Sequence, residues 1–169
     1  FSQHRRYLLQ NPHLSCHRRI EMFKTLVLSR FGYGTESWTL EDARTKEFVH
    51  NALLRLKRRL LRWGPDVHAR DDDVLTAANM NSPTEVLRIA RLRYLGTLYR
   101  CKELVPWGLL NSDAAWTSLI KDDLTWMWQE LHGASSLQDP SQHFSAWEYI
   151  WLHHPSYRKR LIRRAGEHA

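Results

Sequence analysis

Hydrophobic positions that recur every three or four residues dominate the chain. The clearest series is Val49, Leu53, Leu56, Leu60 and Trp63. Steps of four and three place these side chains on one face of a helix. Period-two alternation, which marks a half-buried strand, is nearly absent. We therefore predict an all-α fold: a bundle of short antiparallel amphipathic helices with a C-terminal helical extension.

Capping and breaking residues divide this pattern into separate helices. Ser15 suits the N-cap of a helix that runs to about Phe31, and two glycines at 32 and 34 end it. Ser82-Pro83-Thr84-Glu85 combines a cap, a proline at the first helical position and an acid that closes a capping box. This helix extends to about residue 102. The other predicted helices cover residues 3–10, 39–63, 71–80, 112–132, 143–153 and 156–164, with a loop over 133–141.

The aspartate run Asp71–Asp73 raises the question of a metal site. A polymerase metal site holds two carboxylates on a rigid strand turn near a third carboxylate. Here the run precedes a helix, where negative charge is favoured by the helix dipole. We therefore interpret it as a helix start. Since His13 and His17 also lack an accompanying carboxylate, we predict no catalytic residue, no metal ligand and no cofactor in this chain.

Charge is distributed unevenly over a chain whose formal net charge is +7. Residues 1–102 carry 19 Lys/Arg and 10 Asp/Glu, residues 103–155 carry one and seven, and residues 156–169 carry five and one. We predict a basic helical domain at 1–102 and a helical extension at 103–169. An excess of positive charge favours nucleic acid or a membrane surface as partner. No apolar run reaches the length that crosses a bilayer, and we expect no membrane partner.

Four arginines form the most specific basic feature. They fall at i, i+3, i+4 and i+7 on the helix face opposite the apolar series: Arg55, Arg58, Arg59 and Arg62. Guanidinium groups are suited to phosphate because their forked donors match its oxygens. Arginines on other helices are candidates to extend this surface: Arg18, Arg19, Arg88, Arg91 and Arg93. Two other interpretations stay open, a solvated helix face and pairing with the acidic residues 103–155.

Tryptophan is abundant, with eight residues, six of them within 103–155. Their spacing fits packing between helices, and the acidic surroundings argue against stacking on bases. We predict that they form a core or contact a protein partner. The two distant cysteines, Cys16 and Cys101, indicate neither a disulfide framework nor a zinc knuckle. They fit a reducing compartment, and we expect a nuclear or cytoplasmic protein.

A series of short motifs covers about residues 20–100. In chain order they are Leu26-Val27-Leu28-Ser29-Arg30-Phe31, Tyr33-Gly34-Thr35-Glu36-Ser37-Trp38, the Leu/Arg segment 54–61, Ser82-Pro83, and Arg91-Leu92-Arg93-Tyr94-Leu95-Gly96. In this order and spacing the chain resembles the region after the palm in reverse transcriptases of non-LTR, LINE-like retrotransposons. The tryptophan-rich region resembles the C-terminal extensions of the same reading frames.

This resemblance implies a fragment of an RNA-directed DNA polymerase: its thumb and the residues that follow. The family's thumb grips the template–primer duplex by its backbone, which would assign phosphate contacts to the four arginines and to Arg91 and Arg93. The catalytic aromatic-x-Asp-Asp motif, which holds Mg²⁺, lies upstream in the family, and Asp71–Asp73 do not match it. The implied partners are an RNA/DNA template–primer, the missing palm and fingers, and a protein that contacts the tryptophan-rich segment. The alternatives are a protein-interaction or structural subunit derived from a retroelement remnant, and a degenerate product without function.

Overall fold

A computed structural model of the protein describes residues 11, 13–29, 34, 43–62, 68–100, 114–131 and 137–168. These ranges contain seven α-helices and no strand, which confirms the predicted all-α fold. The helices are α1 (Cys16–Phe23), α2 (Ala43–Leu61), α3 (Asp71–Ala78), α4 (Pro83–Arg100), α5 (Ala114–Glu130), α6 (Phe144–His153) and α7 (Pro155–His168).

Contacts divide the chain into two compact units. Unit 1 comprises Phe1–Tyr33 and Leu40–Thr84, and unit 2 comprises Gly34–Thr39 and Glu85–Ala169. The predicted domain boundary at residue 102 and the predicted helix at 3–10 lie outside the described residues. Among the helices that the structure describes, none is long and apolar enough to cross a membrane.

The first helix begins as predicted and then departs from α-helical geometry. The side chain of Ser15 accepts a hydrogen bond from the Arg18 amide at 3.3 Å, which confirms the N-cap. A π-helical segment, Lys24–Leu28, replaces the predicted α-helical continuation. The Thr25 hydroxyl donates to the Glu21 carbonyl and the Ser29 hydroxyl to the Thr25 carbonyl. Such bonds to the preceding turn bend helices. The spacing of apolar residues gives no indication of these hydroxyl hydrogen bonds.

The aspartate run opens α3, as the capping interpretation predicts. Asp71, Asp72 and Asp73 form its first turn, and Asp73 Oδ2 accepts the Arg70 amide hydrogen bond at 3.1 Å. Asn79 ends the helix in the left-handed conformation with φ 47°. Asparagine adopts this conformation at a small steric cost because its short side chain hydrogen-bonds locally.

The core of unit 1 lies between its short helices. Ile20 and Phe23 of α1, Leu60 of α2, Ala78 of α3 and Met80 pack together in it. Leu60 belongs to the apolar series read from the sequence. Burial of such side chains contributes about 1.5–3 kcal/mol each. This core sets the orientation of α2, because one face of that helix must point inward.

Tryptophans form much of the core of unit 2, as predicted. Trp147 and Trp151 of α6 are 0% and 1% exposed, and their ring centroids lie 6.0 Å apart. Their indole N–H groups donate to the carbonyls of Gln138 and Leu92, at 2.9 and 3.4 Å. Buried indoles need such partners, since an unpaired donor costs free energy. The aromatic rings therefore join α6 to α4 and to the residues that precede α6.

The C-terminal helix is longer than the predicted range 156–164. It starts at Pro155, a favourable first helical residue because this position needs no amide hydrogen. Its buried face continues through Leu161, Ile162 and Ala165 into the core of unit 2. The helix extends to His168, because apolar contact continues beyond the run of basic residues.

Candidate nucleic-acid interface

The α2 basic face consists of Arg55, Arg58, Arg59 and Arg62. On the opposite side of α2, Leu53, Leu54 and Leu60 are 3%, 1% and 0% exposed. Arg55 and Arg59 are exposed, and among the described residues their guanidinium groups meet no carboxylate. The arginines therefore point away from the core, as the helical spacing predicts. Two of them present charge that the described part of the chain does not neutralise.

Arg58 differs from its two exposed neighbours because it has an acidic partner. Its Nη2 lies 2.6 Å from Oδ1 of Asp71 and 3.3 Å from the Ala69 carbonyl oxygen. His50 Nε2 lies 3.7 Å from the other carboxylate oxygen of Asp71. Both side chains of the Arg58–Asp71 pair are one-third to one-half exposed, so the pair contributes at most about 1 kcal/mol. A phosphate would displace Asp71 from Arg58 at small cost.

Arg62 marks the end of α2 with a left-handed backbone, φ 58°. Its Nη2 donates to the Asn11 carbonyl oxygen at 2.6 Å, which links the end of α2 to the chain before α1. The side chain is exposed.

Arg19 of α1, a candidate extension of the basic surface, is only 4% exposed. Its Nε and Nη1 atoms are buried and have no hydrogen-bond partner in the structure. Burial and, to a smaller extent, the positive charge of Arg62 lower the pKa of Arg19. Arg18 beside it is exposed. Arg19 therefore adds to the positive field near Arg62 without offering an accessible contact.

Lys57 is a buried cation on the core side of the same helix. It is 1% exposed, and its Nζ donates to the Asn81 carbonyl oxygen at 2.6 Å. This bond ties α2 to the segment between α3 and α4, and thereby limits rotation of the helix that carries the basic face. Sequence reasoning missed this role because a lysine at a core position has no periodic signature.

Arg91 was expected to contact phosphates, but its place in unit 2 leaves no room for one. The residue is 6% exposed, and its Nε and Nη2 donate to Asp123 Oδ2 and Oδ1 at 2.6 and 2.8 Å. Asp123 is 1% exposed. The two guanidinium donors Nε and Nη2 are thus occupied by Asp123 inside the protein. Arg91 is therefore not part of the candidate nucleic-acid interface. Arg91 thus meets an acid of residues 103–155, whereas the ion pair of the α2 basic face is made with Asp71.

Arg88 approaches the same carboxylate. Its Nε lies 3.7 Å from Asp123 Oδ1, and its guanidinium carbon lies 5.4 Å from the centre of the Trp126 ring. Burial raises the pKa of Asp123, while the hydrogen bonds from Arg91 and the two positive charges act in the opposite direction. The cluster holds α4 against α5. Of the later arginines predicted as site residues, Arg93 alone is exposed; it lies in unit 2.

The comparisons with known proteins give a distant relative. The chain is 25% identical, over 126 residues or 71% of its length, to a putative uncharacterized transposon-derived protein of Caenorhabditis elegans. The chain spans 40% of the length of that relative. No protein-family profile and no solved structure matches the chain. The similarity supports a transposon origin without identifying a reverse transcriptase.

Proposed function

We propose that this chain is a non-catalytic part of a retrotransposon reverse transcriptase that grips template–primer nucleic acid through its backbone phosphates. The observation that carries the proposal is the exposed pair Arg55 and Arg59 on α2, which no carboxylate of the described residues neutralises, flanked by Arg58 and Arg62. The distant similarity to a transposon-derived protein is compatible with this enzyme class, and the order of motifs between residues 20 and 100 supports it. The polymerase chemistry and its Mg²⁺ belong to the parent's palm, which these residues do not include.

The geometry of α2 suits a backbone contact rather than base recognition. Residues at i, i+3, i+4 and i+7 form a row along one side of a helix. A row of guanidinium groups follows successive phosphates without needing base edges, which carry the sequence information. We therefore expect binding that is insensitive to sequence and strongly dependent on salt.

The test is a salt series with a fluorescent RNA–DNA hybrid as probe. Arg55→Gln/Arg59→Gln removes two charges from α2 without touching its core. Two lost phosphate contacts should reduce the slope of log binding constant against log salt by about 1.5–2 units. Lys46→Gln/Lys121→Gln is the matched control: it removes the same charge from exposed residues, and Lys46 lies on the opposite side of α2 from Arg55.

Equal slopes for the arginine variant and the lysine control would overturn the assignment of the α2 basic face. Failure of the unaltered chain to bind the hybrid at low salt would overturn the proposed function itself. Circular dichroism of each variant verifies that helix content is unchanged, so a loss of binding is not a loss of folding.

A second candidate function, a helical interaction subunit derived from a retroelement, is favoured by two exposed aromatic side chains. Phe48 of α2 is 74% exposed and Tyr149 of α6 is 57% exposed. Exposed aromatic residues are enriched in protein interfaces. The buried tryptophans, by contrast, are used in the core of unit 2. Self-association of the unaltered chain in sedimentation, without binding to the RNA–DNA hybrid, would favour this candidate. Phe48→Ser and Tyr149→Ser should then abolish the association.

A further inference from the structure

Positive charge collects at the start of α1, and no acid in the first turn balances it. Aligned peptide groups give the N-terminus of a helix a partial positive charge, which acidic side chains in the first turn would offset. The first turn of α1 contains no acidic residue, and Arg18 and Arg19 follow within four residues of its start. The nearest acid along the chain is Glu21, in the next turn. A helix end of this kind favours an anion.

Two backbone amides at the start of α1 lack an acceptor. The side chain of Ser15 accepts from the Arg18 amide at 3.3 Å, and its carbonyl oxygen accepts from the Arg19 amide at 3.0 Å. The amides of Cys16 and His17, by contrast, meet no hydrogen-bond acceptor in the part of the chain that the structure describes. Such first-turn amides are directed along the helix axis, out of the helix end. They are the donors with which helix N-termini bind phosphate oxygens.

Arg19 places a buried charge at the same helix end. It is 4% exposed, and its Nε and Nη1 have no hydrogen-bond partner. Side chains of an α-helix lean towards its N-terminus, so this side chain lies over the turn that Cys16 begins. Burial, and then the charge of Arg62, lower the pKa of Arg19, while the Cys16 thiol acts in the opposite direction; both groups are therefore near the guanidinium. A buried charge without a counter-charge is costly, and an anion at the start of α1 supplies one.

Arg62 brings an accessible guanidinium to the start of α1. Its Nη2 donates to the Asn11 carbonyl oxygen at 2.6 Å, and the Asn11 side chain accepts from the His13 amide at 3.0 Å. Arg62 is thus held beside the turn that leads into α1. Its side chain is exposed, and no carboxylate among the described residues pairs with it. Arg62 can therefore donate to an anion directly, while Arg19 acts on the anion through its charge from the buried side.

We infer that the start of α1 binds one phosphate group, and we call it the α1 phosphate site. The amides of Cys16 and His17 and the guanidinium of Arg62 donate to the phosphate oxygens, and the buried arginine balances their charge. Phosphate suits these donors because it offers several acceptor oxygens and up to two negative charges. All of these residues belong to unit 1. The α2 basic face adjoins the site through Arg62, but a single phosphate group can bind without a nucleic acid, so the inference and the proposed function can fail separately.

Thermal unfolding of the full chain, followed by circular dichroism, tests the site with inorganic phosphate as the probe and sodium chloride of equal ionic strength as the reference. A ligand of the folded chain raises Tm as its concentration increases. Arg62→Gln should weaken the apparent Kd for phosphate about tenfold or more, because a charged hydrogen-bond donor is lost. Lys46→Gln is the matched control, since it removes one exposed charge from the same helix about 24 Å from residue 62. It should respond to phosphate like the unaltered chain.

Arg19→Met separates a role in binding from a role in folding alone. In chloride this variant should be more stable than the unaltered chain, because two donors without partners are removed. In phosphate its gain in Tm should be smaller, because the buried counter-charge is gone. Arg19→Lys keeps the charge and should recover part of the response to phosphate.

An Arg62→Gln variant whose Tm rises with phosphate as much as that of Lys46→Gln overturns the inference, because general stabilisation by phosphate salts acts on both variants alike. This comparison decides the question even if Arg19→Met does not fold, since Arg62 and Lys46 are exposed.

The line width of the phosphorus NMR signal of inorganic phosphate then distinguishes two sources of the phosphate group. If the RNA–DNA hybrid displaces the bound phosphate and narrows the line, the site takes a phosphate of a nucleic-acid strand. If the line stays broad while the hybrid binds, the site takes a free phosphate. Both results support the α1 phosphate site. A chain that binds phosphate in this way and does not bind the hybrid supports the site and overturns the proposed function.

Discussion

Removal of the Asp123 carboxylate should destabilise unit 2 more than most single substitutions in this chain. Asp123→Ala leaves the Arg91 guanidinium, 6% exposed, without the partner that now accepts two of its hydrogen bonds at 2.6 and 2.8 Å. Breaking a buried ion pair by removing one partner costs about 3–5 kcal/mol, because a charge is left buried and unpaired. Arg88 contributes little to this loss of stability, since its side chain is 29% exposed and is already hydrated.

The size of this effect can be obtained in a second way. Each of the two hydrogen bonds joins charged groups, and such bonds contribute about 1.5–3 kcal/mol each. Two of them therefore give about 3–6 kcal/mol, in agreement with the value for a broken buried pair. Domains are stable by only about 5–15 kcal/mol. Asp123→Ala should thus remove about a fifth or more of the unfolding free energy of unit 2.

Urea unfolding followed by tryptophan fluorescence measures this loss, because seven of the eight tryptophans fall in the ranges of unit 2 and one, Trp63, in that of unit 1. The informative comparison is the double variant Arg91→Leu/Asp123→Leu. It removes both charges and should recover most of the stability, since apolar replacements of buried ion pairs are often neutral or stabilising. The reasoning would be refuted by a loss below about 1 kcal/mol for Asp123→Ala, or by a double variant no more stable than the single one.

Three further predictions concern other polar groups. Arg19→Met should raise the unfolding free energy by about 1–3 kcal/mol in urea titration, because it removes two buried donors that have no hydrogen-bond partner. A lower unfolding free energy would show that the guanidinium of Arg19 stabilises the fold. Tyr99, whose pKa is raised by burial and by Glu148, stays neutral above pH ~10 while the unfolded tyrosine ionises. Stability should therefore fall with rising pH in that range, and Tyr99→Phe should flatten this slope in thermal unfolding. Asp71→Asn frees Arg58 from its carboxylate and should tighten hybrid binding about two- to fivefold in fluorescence anisotropy, whereas unchanged affinity would place Arg58 outside the contact.

Local signals predicted the helices well because they depend on neighbouring residues. Ser15, the Asp71–Asp73 run and Pro83 each act within one turn, and each begins a helix where the sequence indicates. The π-helical segment at 24–28 was not predicted, since hydroxyl groups of Thr25 and Ser29 bond to the preceding turn within an apolar pattern that is unchanged.

Partners that are distant along the chain were not predictable from spacing. Asp71 meets Arg58 across 13 residues, and Asp123 meets Arg91 across 32 residues. Neither spacing is a helical one, so only the packing of different helices brings the groups together. Composition left open a pairing between the arginines and the acidic segment as a whole. It did not distinguish Arg91, which the core of unit 2 uses, from Arg93, which stays exposed.

The bidentate ion pair of Arg91 and Asp123 couples the evolution of these two positions. Loss of either charge alone leaves the other buried, so neither position can change first without a cost to stability. Lysine does not replace Arg91 well, because an ammonium group cannot donate two parallel bonds to one carboxylate. Among related sequences, positions 91 and 123 should therefore vary as a pair: arginine with aspartate, or two apolar residues together. An arginine at 91 opposite an apolar residue at 123 should be rare, and it should occur where a nearby acid has taken the place of Asp123.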